Sequence, residues 1–542
     1  MLFLFAGFTL AQTRTVGLLE TSNDVTPGYV LFSPIFSKET FLIDNCGFLV
    51  NKWENTLLPG QTSFLTKEGL LLRTARIPGS LTGGGVGGRM QLLDWDGNVT
   101  WMYDIANDSM HQHHMALPLD DGTIMAIVWK KYSREAAINK GFIPSTVPPS
   151  GIVSDMVIHF MPMGADSIRI LWQWDFWDHT IQDQNPSAMD YGTISDHPEL
   201  LDVNFREDPG ANNAEWIHLN SLDFDPVNNL VLVSSKFHNE IYIIDRSTTT
   251  EEARGHTGGT YGKGGDFIYR WGNPRSYGKG TRDHHWLYGQ HDVQFIDPGM
   301  PGAGNILLFN NGSNRTDSLY AVVEEIVPVR NSDGSFSLSA EGRYLPELPV
   351  WSYPDRPDKS FYSSRISGVQ RLANGNTLIC EGNKGLFREV DDNGEILWLY
   401  KNPVNNFGPA QQGAFPPNPD VFTIRRYEPG FSGFNGLILD AGEPLENGSE
   451  PGYCVILNKA TETTKPGIWL QPNPASEFIN VKSTEIADFK YSITDMTGKP
   501  LLSGTLFGES RIDISSLPQG CFIVTLRLNE SGKISKFAFL KL

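Results

Sequence analysis

Four cysteines in 542 residues (Cys46, Cys380, Cys454, Cys521) are too few for a scaffold held together by disulfides, and their spacing leaves the pairing open. Basic charge is also scarce: 43 Lys and Arg stand against 62 Asp and Glu, a net −19. That balance excludes a nucleic-acid partner or an anionic membrane surface, since both are bound through clustered Lys and Arg. An anionic substrate would need a local basic pocket. Beyond the first dozen residues no apolar run reaches 18, so no stable membrane insertion is expected. Long helical periodicity is absent, and no histidine follows His291.

What is present is glycine (54), proline (34) and aromatics (11%), the composition of a large all-β protein. The opening MLFLFAGFTLAQ is a short apolar run ending in Thr9-Leu10-Ala11, which fits an export signal over residues 1–11. It lacks a basic start, so the true start codon is expected further upstream. One pattern then recurs, an acidic residue, often a glycine, and an aromatic strand with tryptophan. It ends near Trp53, Trp101 and Trp398, with weaker copies at Trp174, Trp271 and Trp351. A second pattern, strand, tight turn, strand, follows five of these as SFLTKEGLLLR, HMALPLDDGTIMAIVW, HLNSLDFDPVNNLVLVSS, HDVQFIDPGMPGAGNILLF and SGVQRLANGNTLICEG. The sixth is degenerate, near VFTIRRY. Units that cannot bury both faces alone are expected to pack radially, and the count predicts a six-bladed β-propeller over residues 12–441.

Equivalent inner-strand positions of a propeller converge on its axis. Overlaying the repeats puts histidine at one such position three times, His114, His218 and His291, with Ser367 in register with His114. In the central repeat the second strand runs into Asn310, Asn311 and Gly312, and pairing returns Arg315 towards His291, a base and a fixed cation facing one space. His111, His113 and His114 offer a His-x-His spacing for zinc, but without a regular carboxylate or cysteine partner no metal is expected. GHTGGTYGKGG at 255–265 fails the phosphate-loop spacing and reads as an interblade loop. The long insertion at 135–215 is expected to supply short helices and lids over one mouth.

From Gly442 the composition turns to a polar linker, 442–467, followed by short alternating strands over 468–542 that predict a small Ig-like β-sandwich. PNPASEFINV, DMTGK, ISSLPQG, CFIVTLRL and KFAFLKL resemble the C-terminal sorting domain of type IX secretion substrates of Bacteroidetes-type bacteria. That resemblance implies the type IX secretion machinery as partner, passage through the periplasm, and release or cell-surface attachment. EWIHLNSLDF, GQHDVQF, FNNGSNR, QRLANGNTLICEG and EVDDNGEILWLY resemble the bacterial arylsulfate sulfotransferases. These are exported propellers that move a sulfuryl group from a phenolic sulfate donor to a phenolic acceptor with no nucleotide sulfate and no cofactor. The resemblance puts His218, His291 and Arg315 on catalytic positions, with His114, Asn311, Arg365 and Ser367 as lining. The family passes the sulfuryl group through a histidine beyond the arginine, where this chain aligns Ser367 or Arg365.

Sulfuryl transfer asks for charge stabilisation on equatorial oxygens and protonation of a poor leaving group. An arginine fork suits the first and a histidine titrating near neutrality the second. Trp286 and Tyr288 offer faces for a phenol ring. The alternative is a catalytically drifted propeller that binds sulfated or phenolic ligands. Because the linker is polar and the C-terminal strands carry their own pattern, truncation before Ile468 is expected to leave a cooperatively folded, soluble remainder. A broad, non-cooperative melt of the truncated protein would show that the two parts share a core.

Overall fold

The computed structural model describes residues 14–207, 214–448, Cys454, 468–471, 475–483, 488–495, 499–507, 510–528 and 534–541. The expected export signal and most of the expected linker lie outside these residues. The chain separates into two compact units, Met1–Ile456 and Leu457–Leu542.

The first unit is a propeller-like ring of antiparallel sheets. Pro59–Leu65, Leu71–Arg76, Gly88–Leu93 and Val99–Asp104 pair in that order, as do Met110–Pro118, Ile124–Tyr132, Ile152–Met163 and Ser167–Asp175. A single parallel bridge, Gln61 to His114, joins these two sheets. The pattern repeats with Leu219–Asp225, Leu230–Ser235, Glu240–Asp245 and Phe267–Trp271, and again with His291–Phe295, Ile306–Asn310, Val322–Ile326 and Trp351–Tyr353. Gly368–Arg371, Thr377–Glu381, Leu386–Val390 and Ile396–Lys401 follow, with Gly17–Thr21 added outside. The remaining sheet takes its first strand, Val421–Tyr427, from late in the unit and its others, Tyr29–Pro34, Thr40–Asp44 and Leu49–Trp53, from early in it. That is why VFTIRRY reads as degenerate: its hairpin partner lies about 390 residues away along the chain. The first strands of successive sheets contact one another around a closed circuit, with Val421–Tyr427 touching both Pro59–Leu65 and Gly368–Arg371.

The tryptophan repeat has a physical cause. Each tryptophan sits on the fourth strand of its sheet, and its indole N–H donates to a backbone carbonyl between the third and fourth strands of the next sheet or at the start of that fourth strand. The bonds run Trp53 to Asp94 (2.9 Å), Trp101 to Ser167 (3.0 Å), Trp174 to Gly265 (2.7 Å), Trp271 to Pro346 (2.7 Å), Trp351 to Asp392 (3.2 Å) and Trp398 to Asn45 (2.7 Å). The last returns to the first sheet. The acidic residue ahead of the tryptophan shapes the turn that offers the carbonyl. The Asp44, Asp94 and Asp391 carboxylates each accept two backbone N–H groups of their own turn. Gly47, Gly97 and Gly394 take the positive φ that closes it.

Residues 442–448, the start of the expected linker, lie on the first unit. Gly442 and Glu443 exchange backbone bonds with Leu49, Phe48 bridges Pro444, and Leu445 is buried. Cys454 is held there by a disulfide to Cys46, while Cys380 is a buried free thiol. Among the described residues the one α-helix is Arg134–Lys140, capped by Ser133, in the insertion expected to carry short helices.

The second unit holds two antiparallel sheets. One orders Ile468–Gln471, Phe478–Ser483 and Ser510–Asp513; the other orders Pro500–Phe507, Asp488–Asp495, Gly520–Leu528 and Ile534–Lys541. Ile479, Val481 and Ile512 from the first share one core with Phe489, Ile493 and Val524 from the second.

Trp398→Phe keeps the ring and deletes the indole donor, leaving the Asn45 carbonyl without that partner. It is expected to cost about 1–3 kcal/mol in denaturant unfolding. Trp351→Phe, whose bond is longer and exposed, is expected to cost well under that; equal losses would mean that the indole bonds do not set the coupling.

Candidate functional site

The first strands of the sheets do not start smoothly. Register shifts interrupt pairing at their beginnings, and non-glycine residues there have positive φ: Gln61 (150°), His114 (50°), His218 (56°), Asp292 (51°) and Ser367 (111°). Left-handed backbone costs a non-glycine residue about 1–2 kcal/mol, and bulges of this kind re-aim side chains. His114 and His218 share the positive φ. His291 stands one residue before its own, at Asp292, so the register between His218 and His291 differs by one from the alignment on strand starts.

The three histidines are nevertheless gathered. The rings of His114 and His218 meet edge to face at 4.9 Å, and Phe422 lies 5.8 Å from His114 and 6.1 Å from His291. His291 is buried and its tautomer is fixed. Nδ1 faces the Gly289 carbonyl at 2.9 Å and Asn311 Oδ1 at 2.7 Å, and the Asn311 amide nitrogen itself donates to the Ser363 and Ile366 carbonyls. Both neighbours are therefore acceptors, Nδ1 carries the proton, and Nε2 keeps its lone pair. Burial pulls the His291 pKa down to about 3, with the Lys236 and His218 charges adding to the fall. At neutral pH it is an uncharged base.

His218 Nδ1 lies 2.8 Å from Glu215 Oε1. Burial works to raise the Glu215 carboxyl, but the charges of His218, His113 and Lys236 outweigh it and hold it below its ordinary value. His114 is paired on its other side, Nδ1 to Nδ1 at 2.8 Å, with His113, whose Nε2 meets Asp155 Oδ1 at 2.6 Å. Among the described residues no hydrogen bond is made by Nε2 of His114, His218 or His291, whose other ring nitrogens carry the contacts given above. Gly84 and Gly85 lie over these rings. A Cβ at Gly84 would meet His218 Cε1 at 2.9 Å and one at Gly85 would meet the His114 ring at 2.2 Å.

The cation whose charge bears on both His114 and His291 is Lys236, a residue the repeat analysis passed over. It directly follows its sheet's second strand, the place held by Asn311 in the next sheet, and that register is the signal that finds it. Burial lowers its pKa, Glu215 acts against that, and Arg365 adds to it. Phe422 was missed because it sits on the strand donated from late in the chain.

Arg315 packs between Tyr288 and Tyr320, its guanidinium carbon 4.6 Å and 4.5 Å from their ring centres. Its charge bears on His285, Tyr288 and Glu324, next to the start of the His291 strand. Trp286 donates to Glu324 at 2.7 Å, and Tyr288 stacks on His285 at 4.2 Å. Arg365 is largely exposed and pairs with Asp420 at 3.3 Å. Ser367 is buried; its Oγ accepts the Gly382 N–H at 3.1 Å and its own N–H donates to the Phe422 carbonyl.

On the strand-end side of the histidines the interior opens as a cleft of about 640 Å³ lined by Met115, Asp223, Asp292, Gln370 and Arg425. Asp292 and Arg425 form a bidentate pair there at 2.6 and 2.9 Å, completed by Val369 N–H and Thr423 Oγ1. Burial and Asp297 push the Asp223 carboxyl up to about 8. Among the described residues the histidine and carboxylate groups in metal-holding range are His179, His256 and Asp266, with ligand atoms within 4.8 Å of one another.

A family model for arylsulfotransferase (ASST) matches residues 36–400, and one for a secretion system C-terminal sorting domain matches 470–539. No curated protein matches the chain. Among solved structures, a protein of unknown function from Bacteroides caccae is 12% identical, with a TM-score of 0.39, covering 74% of this chain and 99% of its own. A streptogramin B lyase is 10% identical (TM-score 0.32; 73% and 85% covered), and a putative 6-phosphogluconolactonase from Bacteroides fragilis is 9% identical (0.34; 75% and 99%). No helix of the described residues is long and apolar enough to cross a membrane. With the family model spanning 365 residues, the chain belongs to the arylsulfotransferase (ASST) family.

Proposed function

We propose that the protein is an exported sulfotransferase that moves a sulfuryl group from a phenolic sulfate ester to a phenolic acceptor without a nucleotide donor. The ring is read as a six-bladed propeller forming the catalytic domain over residues 12–441, a reading supported by the closed cycle of tryptophan bonds. The C-terminal unit is read as an Ig-like sorting domain that directs passage through the periplasm to secretion or the cell surface.

The observation that carries the chemistry is the His291 tautomer. A buried, uncharged imidazole with a fixed Nδ1–H and a free Nε2 is ready to take a proton from a phenol or to meet the sulfur. Lys236 supplies the nearby positive charge that the sulfuryl oxygens require, with Arg315 and Arg365 as further cations. Phe422, and Phe237 at 4.7 Å from the His218 ring, offer faces to a phenol ring. His218, held by Glu215, is the partner acid for the departing phenolate. The second reading, a binding protein that has lost its chemistry, is favoured by one observation, that no histidine follows His291 and that Ser367 or Arg365 aligns where the resemblance expects one.

Incubation with p-nitrophenyl sulfate, with and without phenol, decides between them. Nitrophenol release that requires the acceptor is expected; release without it indicates a sulfatase, and no release a binding role. His291→Ala and His218→Ala are each expected to lower turnover by roughly 10² to 10⁴. Lys236→Met is expected to cost about 10² to 10³ in kcat, and more than Arg315→Ala, whose guanidinium is engaged by two tyrosines. The reverse order would return the charge-stabilising role to Arg315.

A further inference from the structure

Apart from the gathered histidines, a second set of ligand-type side chains meets on the seam between two sheets. His179 follows the short 3-10 turn Phe176–Asp178 at the end of the outer strand Ser167–Asp175. His256 and Asp266 come from the glycine-rich loop ahead of the next sheet's outer strand, Phe267–Trp271. Asp266 Oδ1 lies 2.8 Å from His179 Nδ1 and 2.8 Å from His256 Nδ1, and Oδ2 lies 3.1 Å from the latter. His179 and Asp266 are buried and His256 is exposed. Two contacts aim the His179 ring. It stacks on Trp174 at 5.4 Å with 4° between planes, and its Nε2 lies 2.8 Å from the Ala253 carbonyl. A Cβ at Gly265 would meet that carbonyl at 2.1 Å and Nε2 at 2.6 Å, so glycine is what lets the loop close over the ring. A carbonyl can only accept, so Nε2 carries a proton. A neutral His179 then turns its Nδ1 lone pair on the carboxylate, and the pair needs a cation between them, either a second ring proton or a metal ion.

We propose that His179, His256 and Asp266 hold a zinc ion that fastens the two sheets together. Two imidazole nitrogens and one carboxylate oxygen are a donor set for a borderline divalent ion of the zinc class, whereas calcium and magnesium surround themselves with oxygen ligands. The remaining requirements of a metal site are met. The ligand atoms lie within 4.8 Å of one another, and the exposed His256 ring can swing to accommodate bonds of about 2.0–2.2 Å. A ligating histidine ordinarily gives its other N–H to a carbonyl or carboxylate, as His179 does to Ala253. His256 stands at the surface, which leaves an entry path and a fourth position for water. The consequence is mechanical. Gly265, the residue before Asp266, offers the carbonyl that accepts the Trp174 indole N–H at 2.7 Å. The loop itself is closed by the Gly264 N–H to the Gly258 carbonyl and the Gly265 N–H to the Gly255 carbonyl. An ion bound to His179 beside one outer strand and to Asp266 beside the next holds the donor and the acceptor of that inter-sheet bond in place. The site shares no residue with the proposed chemistry, so the two readings stand or fall separately.

The test titrates the untagged full chain with zinc by calorimetry after treatment with EDTA and dialysis. One ion per chain is expected, with a rise in Tm of about 3 °C at free zinc a hundredfold above Kd; calcium is expected to do neither. His256→Ala removes an exposed ligand without opening the core and is expected to weaken zinc at least about tenfold. Asp266→Asn, which keeps the shape of the side chain, is expected to act in the same direction. His284→Ala, at an exposed histidine elsewhere, is expected to leave the affinity unchanged. The cobalt(II) form is expected to show visible d–d bands and no thiolate charge-transfer band. Absence of uptake by the wild type would mean that His179 sits as an imidazolium in a plain ion pair with Asp266. Zinc binding of full strength in His256→Ala and Asp266→Asn, or a thiolate band in the wild type, would place the ion elsewhere; each of these outcomes overturns the proposal.

Discussion

The first unit depends on one repeated bond, an indole N–H on the outer strand of each sheet given to a carbonyl of the next. A sheet of four short strands has one face too many for its own core, and radial packing solves this only if neighbours keep a fixed pitch. A buried indole does both jobs at once, removing a large apolar surface from water and forcing a match between a donor and an acceptor. Five of the six tryptophans are at most 6% exposed. The sixth bond, from Trp398 to Asn45, spans 353 positions of sequence, and with the strand exchange at Val421–Tyr427 it ties late chain to early chain. The Cys46–Cys454 disulfide starts in the same Asp44 to Phe48 turn that accepts the Trp398 bond. Closure is thus concentrated on one turn.

Fixed pitch at the rim lets the strand starts at the centre be irregular. Register shifts near His114, His218 and Asp292 interrupt ladders, and these residues and Ser367 hold left-handed backbone, a local cost that the surrounding sheets over-determine. Asp292 shows the gain. Being one residue past His291 on an interrupted strand, it pairs with Arg425 on the cleft side while His291 bonds Gly289 and Asn311. One bulge serves two environments.

Much of this was legible in the chain, and the reason is repetition. Tryptophan at a repeated place marks the outer strands, and histidine at a near-repeated place marks the inner ones, because each repeat solves the same packing problem. What stayed hidden are contacts between repeats. Lys236 is one lysine among many until its sheet is laid beside the one carrying Asn311. Phe422 belongs to a hairpin whose halves are far apart in sequence. Gly84 and Gly85 sit in a glycine run that reads as a plain loop until the two imidazoles beneath it are seen. Asp155 is an acid inside an apolar strand, and only its pairing opposite Trp129 brings it to His113. Arg315 was legible as a cation that the hairpin returns towards His291; the tyrosines on either side of its guanidinium were not.

The absent histidine is best weighed against what stands near its place. Ser367 Oγ accepts a backbone N–H and, among the described residues, has no imidazole or carboxylate bonded to it. An unactivated hydroxyl in that setting is a weak sulfuryl acceptor. The rings of His114 and His291 both approach Phe422, at 5.8 and 6.1 Å. If the sulfuryl group passes through this protein covalently at His291 Nε2, the Nδ1 proton stays bonded to the Gly289 carbonyl and the Asn311 amide oxygen, so the loaded ring keeps its orientation.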